Sequence, residues 1–139
     1  MVWLCWPVAR WLNGHLGPHD TVLITLREIN YLIDPPTFLA MPNYEAVIPL
    51  PPGPDAAQNL ARLRDQGITH LVVNGVTPGQ AADGDMARLA GPLLNAGCLR
   101  QIGAVATPGL LRSRTLGLRA EGEALHYVYA VGGPDCRLP

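Results

Sequence analysis

Charge is scarce in this sequence: 15% of its 139 residues are Asp, Glu, Lys or Arg, against roughly 25% in an ordinary soluble domain. Such a deficit suggests a surface partly covered by something outside the chain. The charges nearly cancel, to a net −1, and no basic stripe is present, so a nucleic-acid partner is excluded. Serine is scarcer still. Ser113, in "LLRSRTL", is the only one, and no GxSxG surrounds it, which removes a serine-hydrolase reading. No GxGxxG follows the first apolar run and no GxxxxGK[ST] occurs, so no cofactor is implied. The three cysteines, Cys5, Cys98 and Cys136, have no CxxC spacing. They read as three unrelated thiols, with a Cys98–Cys136 bridge open only if the outer strands lie side by side. No apolar run reaches the roughly 18–20 residues of a membrane span. The opening "MVWLCWPV" also lacks the basic start and small-residue cleavage site of a signal peptide.

What is present is an alternation of helix and strand signals. "VARWLNGHLGPHD" reads as a helix with Val8, Trp11 and Leu12 on one face, ending near Asn13-Gly14. "TVLITL" (21–26) is a β-branched run without alternation, as expected of a strand buried on both faces. "REINYLI" (27–33) reads as a short helix stopped by Asp34-Pro35-Pro36, and "EAVIPL" (45–50) as an edge strand. Asp55 and Gln58 suggest a capping box for a helix that carries Leu60 and Leu63 inward and ends at Gly67. "ITHLVVN" (68–74) is the next strand. Met86, Leu89, Ala90, Leu93, Leu94 and Gly97 then form an apolar stripe, with a kink or restart expected at Gly91-Pro92. "CLRQIGAVA" (98–106) is a strand, and 114–120 with 124–131 form a hairpin about Glu121-Gly122-Glu123.

This order predicts one α/β domain over 1–139, with a Trp-rich N-terminal helix at 1–17 and a loose tail at 132–139. Its architecture is expected to be three-layer: a largely parallel sheet, helices on both faces, and a C-terminal antiparallel hairpin at one edge.

Few side chains invite chemistry. His70 shares a strand face with Ile68 and Val72, the setting of a core histidine. His15 and His19 have HxxxH spacing beside Asp20, but Gly14, Gly17 and Pro18 break the helix that would aim them, so no metal is expected. In sheets of this kind ligands gather at the carboxyl ends of the parallel strands. There the sequence places Arg27, Glu28, Asn30 and Tyr31 after the first strand and Asn74 after the third. Arg and Asn suit an anionic or sugar-like group; a local Arg27–Glu28 ion pair and a turn capped by Asn74 form the plainer account. No catalytic residue is assigned. All three Trp (Trp3, Trp6, Trp11) lie within the first eleven residues. They suit either a membrane–water boundary with lipid headgroups or a helix packing its rings on the core.

The run "VARWLNGHLGPHDTVLI", then "REINYLIDPP", then "ARLRDQGITHLVVNG" and a closing "LHYVYAV" resembles the soluble tail of bacterial dolichyl-phosphate-mannose–protein mannosyltransferase-like proteins. These are multi-spanning membrane glycosyltransferases of the GT-C type. The recurring phrase stands here as Gly67-Ile68-Thr69-His70-Leu71-Val72-Val73. The resemblance implies a non-catalytic C-terminal domain on the extracytoplasmic (periplasmic) face, whose partner is the membrane-embedded part of the same protein. The acidic catalytic residue and the polyprenyl-phosphate sugar donor would belong to that upstream part. The alternatives are a stand-alone small-ligand-binding module, cytoplasmic in that case, and a small cytosolic enzyme with His70 or His15 as general base.

Overall fold

The computed structural model describes residues 6–24, 32–39, 55–74, 84–113 and 117–138. Their elements are, in chain order, α1 (Trp6–His15), β1 (Val22–Ile24), β2 (Thr37–Leu39), α2 (Ala56–Asp65), β3 (His70–Asn74), α3 (Gly84–Asn95), β4 (Leu99–Ser113) and β5 (Gly117–Val131). The strands form one sheet in the order β2-β1-β3-β5-β4. It is an α/β fold with a mixed sheet: β2, β1 and β3 are parallel, while β5 runs antiparallel to both β3 and β4. Parallel pairing, expected across most of the sheet, is thus confined to one half of it.

The central strands are apolar on both sides, and their side chains divide by parity. Leu23, Leu71 and Val73 join a buried cluster with Leu60 and Leu63 of α2 and Met86, Leu89 and Leu93 of α3. Val22, Ile24 and Val72 join a second cluster with Val8, Ala9 and Leu12 of α1 and Val105 and Val128 of the hairpin.

Helices α2 and α3 end in the same way. Gly67 (φ 69°) and Gly97 (φ 72°) adopt the left-handed conformation that glycine tolerates best. After α2, Gly67 N donates to Arg64 O and Ile68 N to Leu63 O; after α3, Gly97 N donates to Leu94 O and Cys98 N to Leu93 O. These are Schellman ends, and each sends its next residue, Ile68 or Cys98, into the core cluster just before a strand. Gly97 therefore terminates α3 and does not belong to its apolar stripe. The helix runs through Pro92 as one element. At its start, α2 is capped by Asp55, whose Oδ1 accepts from Ala57 N at 2.9 Å.

The hairpin departs most from the sequence expectation. Gly117–Val131 is one strand paired with β4, with Ser113 opposite Gly117, so Glu121-Gly122-Glu123 lies within a strand and is not the hairpin loop. That tripeptide lies at an irregularity: Pro108 pairs with Glu123 but Leu110 with Ala120, leaving one extra residue on β5. A second irregularity leaves Ile102 extra on β4, between Gln101↔Tyr129 and Gly103↔Val128. Because strand faces alternate, one extra residue exchanges them. Leu99 thus joins the α2/α3 cluster while Val105, an even number of residues on, joins the α1 cluster. The strand expected over 45–50 lies outside the described residues, as does the helix expected over 27–33 apart from Leu32 and Ile33. The short β2 was not anticipated.

Cys98 and Cys136 form a disulfide, correcting the reading of three unrelated thiols. The bond links the end of α3 to the tail beyond β5, where Gly132 N donates to Cys98 O (2.7 Å) and Arg137 N to Ala96 O (3.1 Å). The segment 132–138, which in sequence looks like a loose end, is tied at each of these points. A Cβ on Gly97 would stand 2.5 Å from Asp135 O, so the tail backbone lies directly on the helix terminus. Bridging residues 38 apart removes loop entropy from the unfolded chain worth about 4 kcal/mol. Reductant, or Cys136→Ser, is expected to lower the unfolding free energy by about 3–5 kcal/mol. Urea titrations with and without reductant measure this, and coincident curves would refute it.

Candidate functional site

Three polar or aromatic groupings stand out among the described residues. The first lies at the carboxyl end of the parallel strands, where the sequence places its ligand-binding candidates. Arg27, Glu28, Asn30 and Tyr31 lie outside the described residues. Asn74 closes β3 and is the register partner of His126 in β5. His126, which sequence reasoning passed over, is buried, and its Nε2 lies 2.7 Å from Thr107 Oγ1, itself buried on β4. The two are diagonal neighbours, since Val105 pairs with His126 and Thr107 with Ala124. Burial pushes the His126 imidazole below its ordinary pKa, so it is neutral near pH 7. The signal was available: in "ALHYVYAV" His126 shares parity with Val128 and Ala130, the side opposite to Leu125, Tyr127 and Tyr129.

The second grouping surrounds His70, at the other end of the same strands. Thr21 N donates to Thr69 Oγ1 (2.8 Å), and Thr69 N and His70 N both donate to Thr21 O (2.9 and 3.1 Å). Val131 N donates to Thr69 O (2.8 Å), so this cluster fastens the amino ends of β1 and β3 and the end of β5 together. His70 Nδ1 lies 2.8 Å from Thr69 Oγ1 and 3.9 Å from Asp20 Oδ1. Asp20 Oδ2 meanwhile accepts from Gly17 N at 2.8 Å. The His70 side chain is 12% accessible. Burial, followed by the opposing pull of Asp20 and the push of Arg100, leaves its pKa below the ordinary value. A neutral imidazole 3.9 Å from a carboxylate is no ion pair. His70 shares its face with Val72 as expected, but Ile68 precedes the strand and belongs to the other cluster.

The third grouping lies on α1. Val8, Ala9 and Leu12 are buried, and Trp11 lies over β4 at Gly103. A Cβ on Gly103 would stand 2.8 Å from Trp11 Cε2 and collide with Cζ2, so this ring requires a glycine beneath it. His15 stacks on Trp11 with centroids 4.0 Å apart and donates from Nδ1 to Trp11 O at 2.7 Å. His15 is therefore committed locally, and the HxxxH pair forms no such cluster: no group of three or more His, Cys, Asp or Glu among the described residues is placed to hold a metal. Asn13 pins the segment after β1, with Nδ2 donating to Leu32 O (2.9 Å) and Oδ1 accepting from Asp34 N (2.7 Å). Trp6 remains 42% exposed. Beside it is an open cavity of about 330 Å³ lined by Trp6, Pro7, Arg10, Trp11 and His15. The two readings of the tryptophans thus divide by residue: Trp11 packs on the sheet and Trp6 faces outward, while Trp3 lies outside the described residues.

Comparison with protein-family models, curated proteins and solved structures returns no significant match.

A pH dependence follows from the buried His126 and the partly buried His70. Their folded pKa values lie below the unfolded value of about 6.5, so the unfolded chain binds more protons as the pH falls. Stability is then full above about pH 6.5 and is lost as the pH drops toward the folded values. Urea midpoints should decline as the pH falls below about 6.5, and His126→Gln should flatten that decline. A variant with the same slope would remove His126 from the account.

Proposed function

We propose that this chain is a non-catalytic, extracytoplasmic domain of a membrane glycosyltransferase-like protein, resting against that protein's membrane-embedded part. The parent would transfer a sugar from a polyprenyl-phosphate donor, and this domain would shape acceptor access or stabilise the assembly. The observation that carries the reading is the Cys98–Cys136 bond, since structural disulfides persist in oxidising compartments and are rare in a reducing cytosol. The use of the polar groups supports it: Thr21, Thr69, Asp20 and His70 fasten strand ends, and Asn13 pins a loop. The scarcity of charge and the outward Trp6 suit a domain with one side covered. Within this reading the chain is a single three-layer domain, α1 covering one sheet face and α2 with α3 the other, as the two core clusters suggest.

The gene decides the matter directly. In-frame sequence upstream of the first codon is expected to encode several apolar spans of roughly 20 residues, and cells quenched with acid should yield Cys98 and Cys136 blocked to thiol reagents. An upstream stop codon with a ribosome-binding site, or two free thiols in the cell, would end the proposal.

One observation favours a second reading, a small-ligand-binding module: the Asn74–His126 register pair at the carboxyl end of β3, where open α/β sheets seat ligands. A thermal-shift screen with nucleotides and sugar phosphates should then give a stabilisation of several degrees that Arg27→Ala abolishes. No hit across a broad set removes this alternative.

A further inference from the structure

Helix α1 is two-sided, and only its inner side is explained by the fold. We infer that its outer side is a seat on an anionic lipid surface, with Trp6 entering the interface and Arg10 meeting a lipid phosphate. A single exposed apolar side chain is commonplace; what distinguishes this one is its surroundings. Trp6 and Arg10 are one helical turn apart, as are Pro7 and Trp11, and the two rows flank the cavity of about 330 Å³. None of the helix's ten residues is acidic, and the Arg10 guanidinium on its outer side is exposed. A positive group bordering an apolar, aromatic-lined hollow complements the layer where lipid phosphates overlie acyl chains. Trp partitions to that layer because its ring is buried there while its N–H stays wet. The five residues before the helix in sequence, Met-Val-Trp-Leu-Cys, are apolar as well.

This inference deepens the reading above by naming the surface that α1 meets, and it is tested separately. The full chain is sedimented with vesicles of phosphatidylglycerol and phosphatidylcholine, and with phosphatidylcholine alone. Binding is expected to the anionic vesicles and to weaken as salt rises. Trp6→Ala should reduce it by about tenfold or more, the loss of one buried aromatic ring. Arg10→Gln should cost about fivefold, and the residual binding should lose part of its salt dependence. Both side chains are exposed, so unchanged melting temperatures certify the variants. Binding absent from both vesicles, equal on both, or indifferent to Trp6→Ala overturns the inference. So does a photo-crosslinker at position 6 that, in membranes, labels polypeptide and no lipid. Such a result leaves the proposed function intact, because gene context and thiol state decide that reading.

Discussion

Everything in this fold is arranged around two strands that must be apolar on both sides. β1 and β3 lie next to each other and contribute to both core clusters: Leu23, Leu71 and Val73 to one, Val22, Ile24 and Val72 to the other. The residues clustered with them come from α2 and α3 in one case and from α1 and the hairpin in the other. The polar atoms at the strands' amino ends cannot be left exposed to such a core. Thr21 and Thr69 satisfy one another's backbone groups there, and His70 sits over the junction. His70 thus stands at the seam where three strands are fastened.

The second half of the sheet solves a different problem. In a regular strand residues an even number apart face the same side, so Leu99 and Val105 would share one. The extra residue at Ile102 makes the exchange, putting Leu99 in one cluster and Val105 in the other. It also brings Gly103 under the Trp11 ring, where a side chain would have no room. Helix α1 is therefore held by a strand irregularity as much as by its own buried face. At the other end, the disulfide and the hydrogen bonds of Gly132 and Arg137 fix the tail against the terminus of α3. The two Schellman ends, the bridge and the irregular hairpin together hold a sheet whose parallel part, among the described residues, is three short strands.

Much of this was legible where local signals and tertiary structure agree. The two glycine-ended helices, the Asp55 cap and the unbroken apolar runs of β1 and β3 follow from residues a few positions apart. The hairpin was misplaced because Glu121-Gly122-Glu123 has the composition of a turn. Across from β4 it is a bulge instead, and only the partner strand decides between the two. The disulfide was illegible for a related reason: Cys136 lies beyond β5, and nothing in its neighbourhood tells that the tail folds back onto α3. His126 could have been found from parity alone, but an eye tuned to motifs passes over a histidine whose partner, Thr107, lies on another strand. Of the ligand-binding candidates, Asn74 has a placed backbone opposite His126, and the other four fall outside the described residues.

The division of α1 shows how far a fold's own requirements go and where they stop. Val8, Ala9 and Leu12 are accounted for by burial, Trp11 by its fit over Gly103, and Asn13 by the loop it pins. Trp6 and Arg10 do none of these things. A helix that needed only its inner side could carry Glu or Gln at both positions, gaining solubility and helix propensity without loss of packing. An exposed indole and a guanidinium beside an apolar hollow leave apolar surface in water. An interface where apolar and anionic groups meet within a few ångströms answers to both side chains at once.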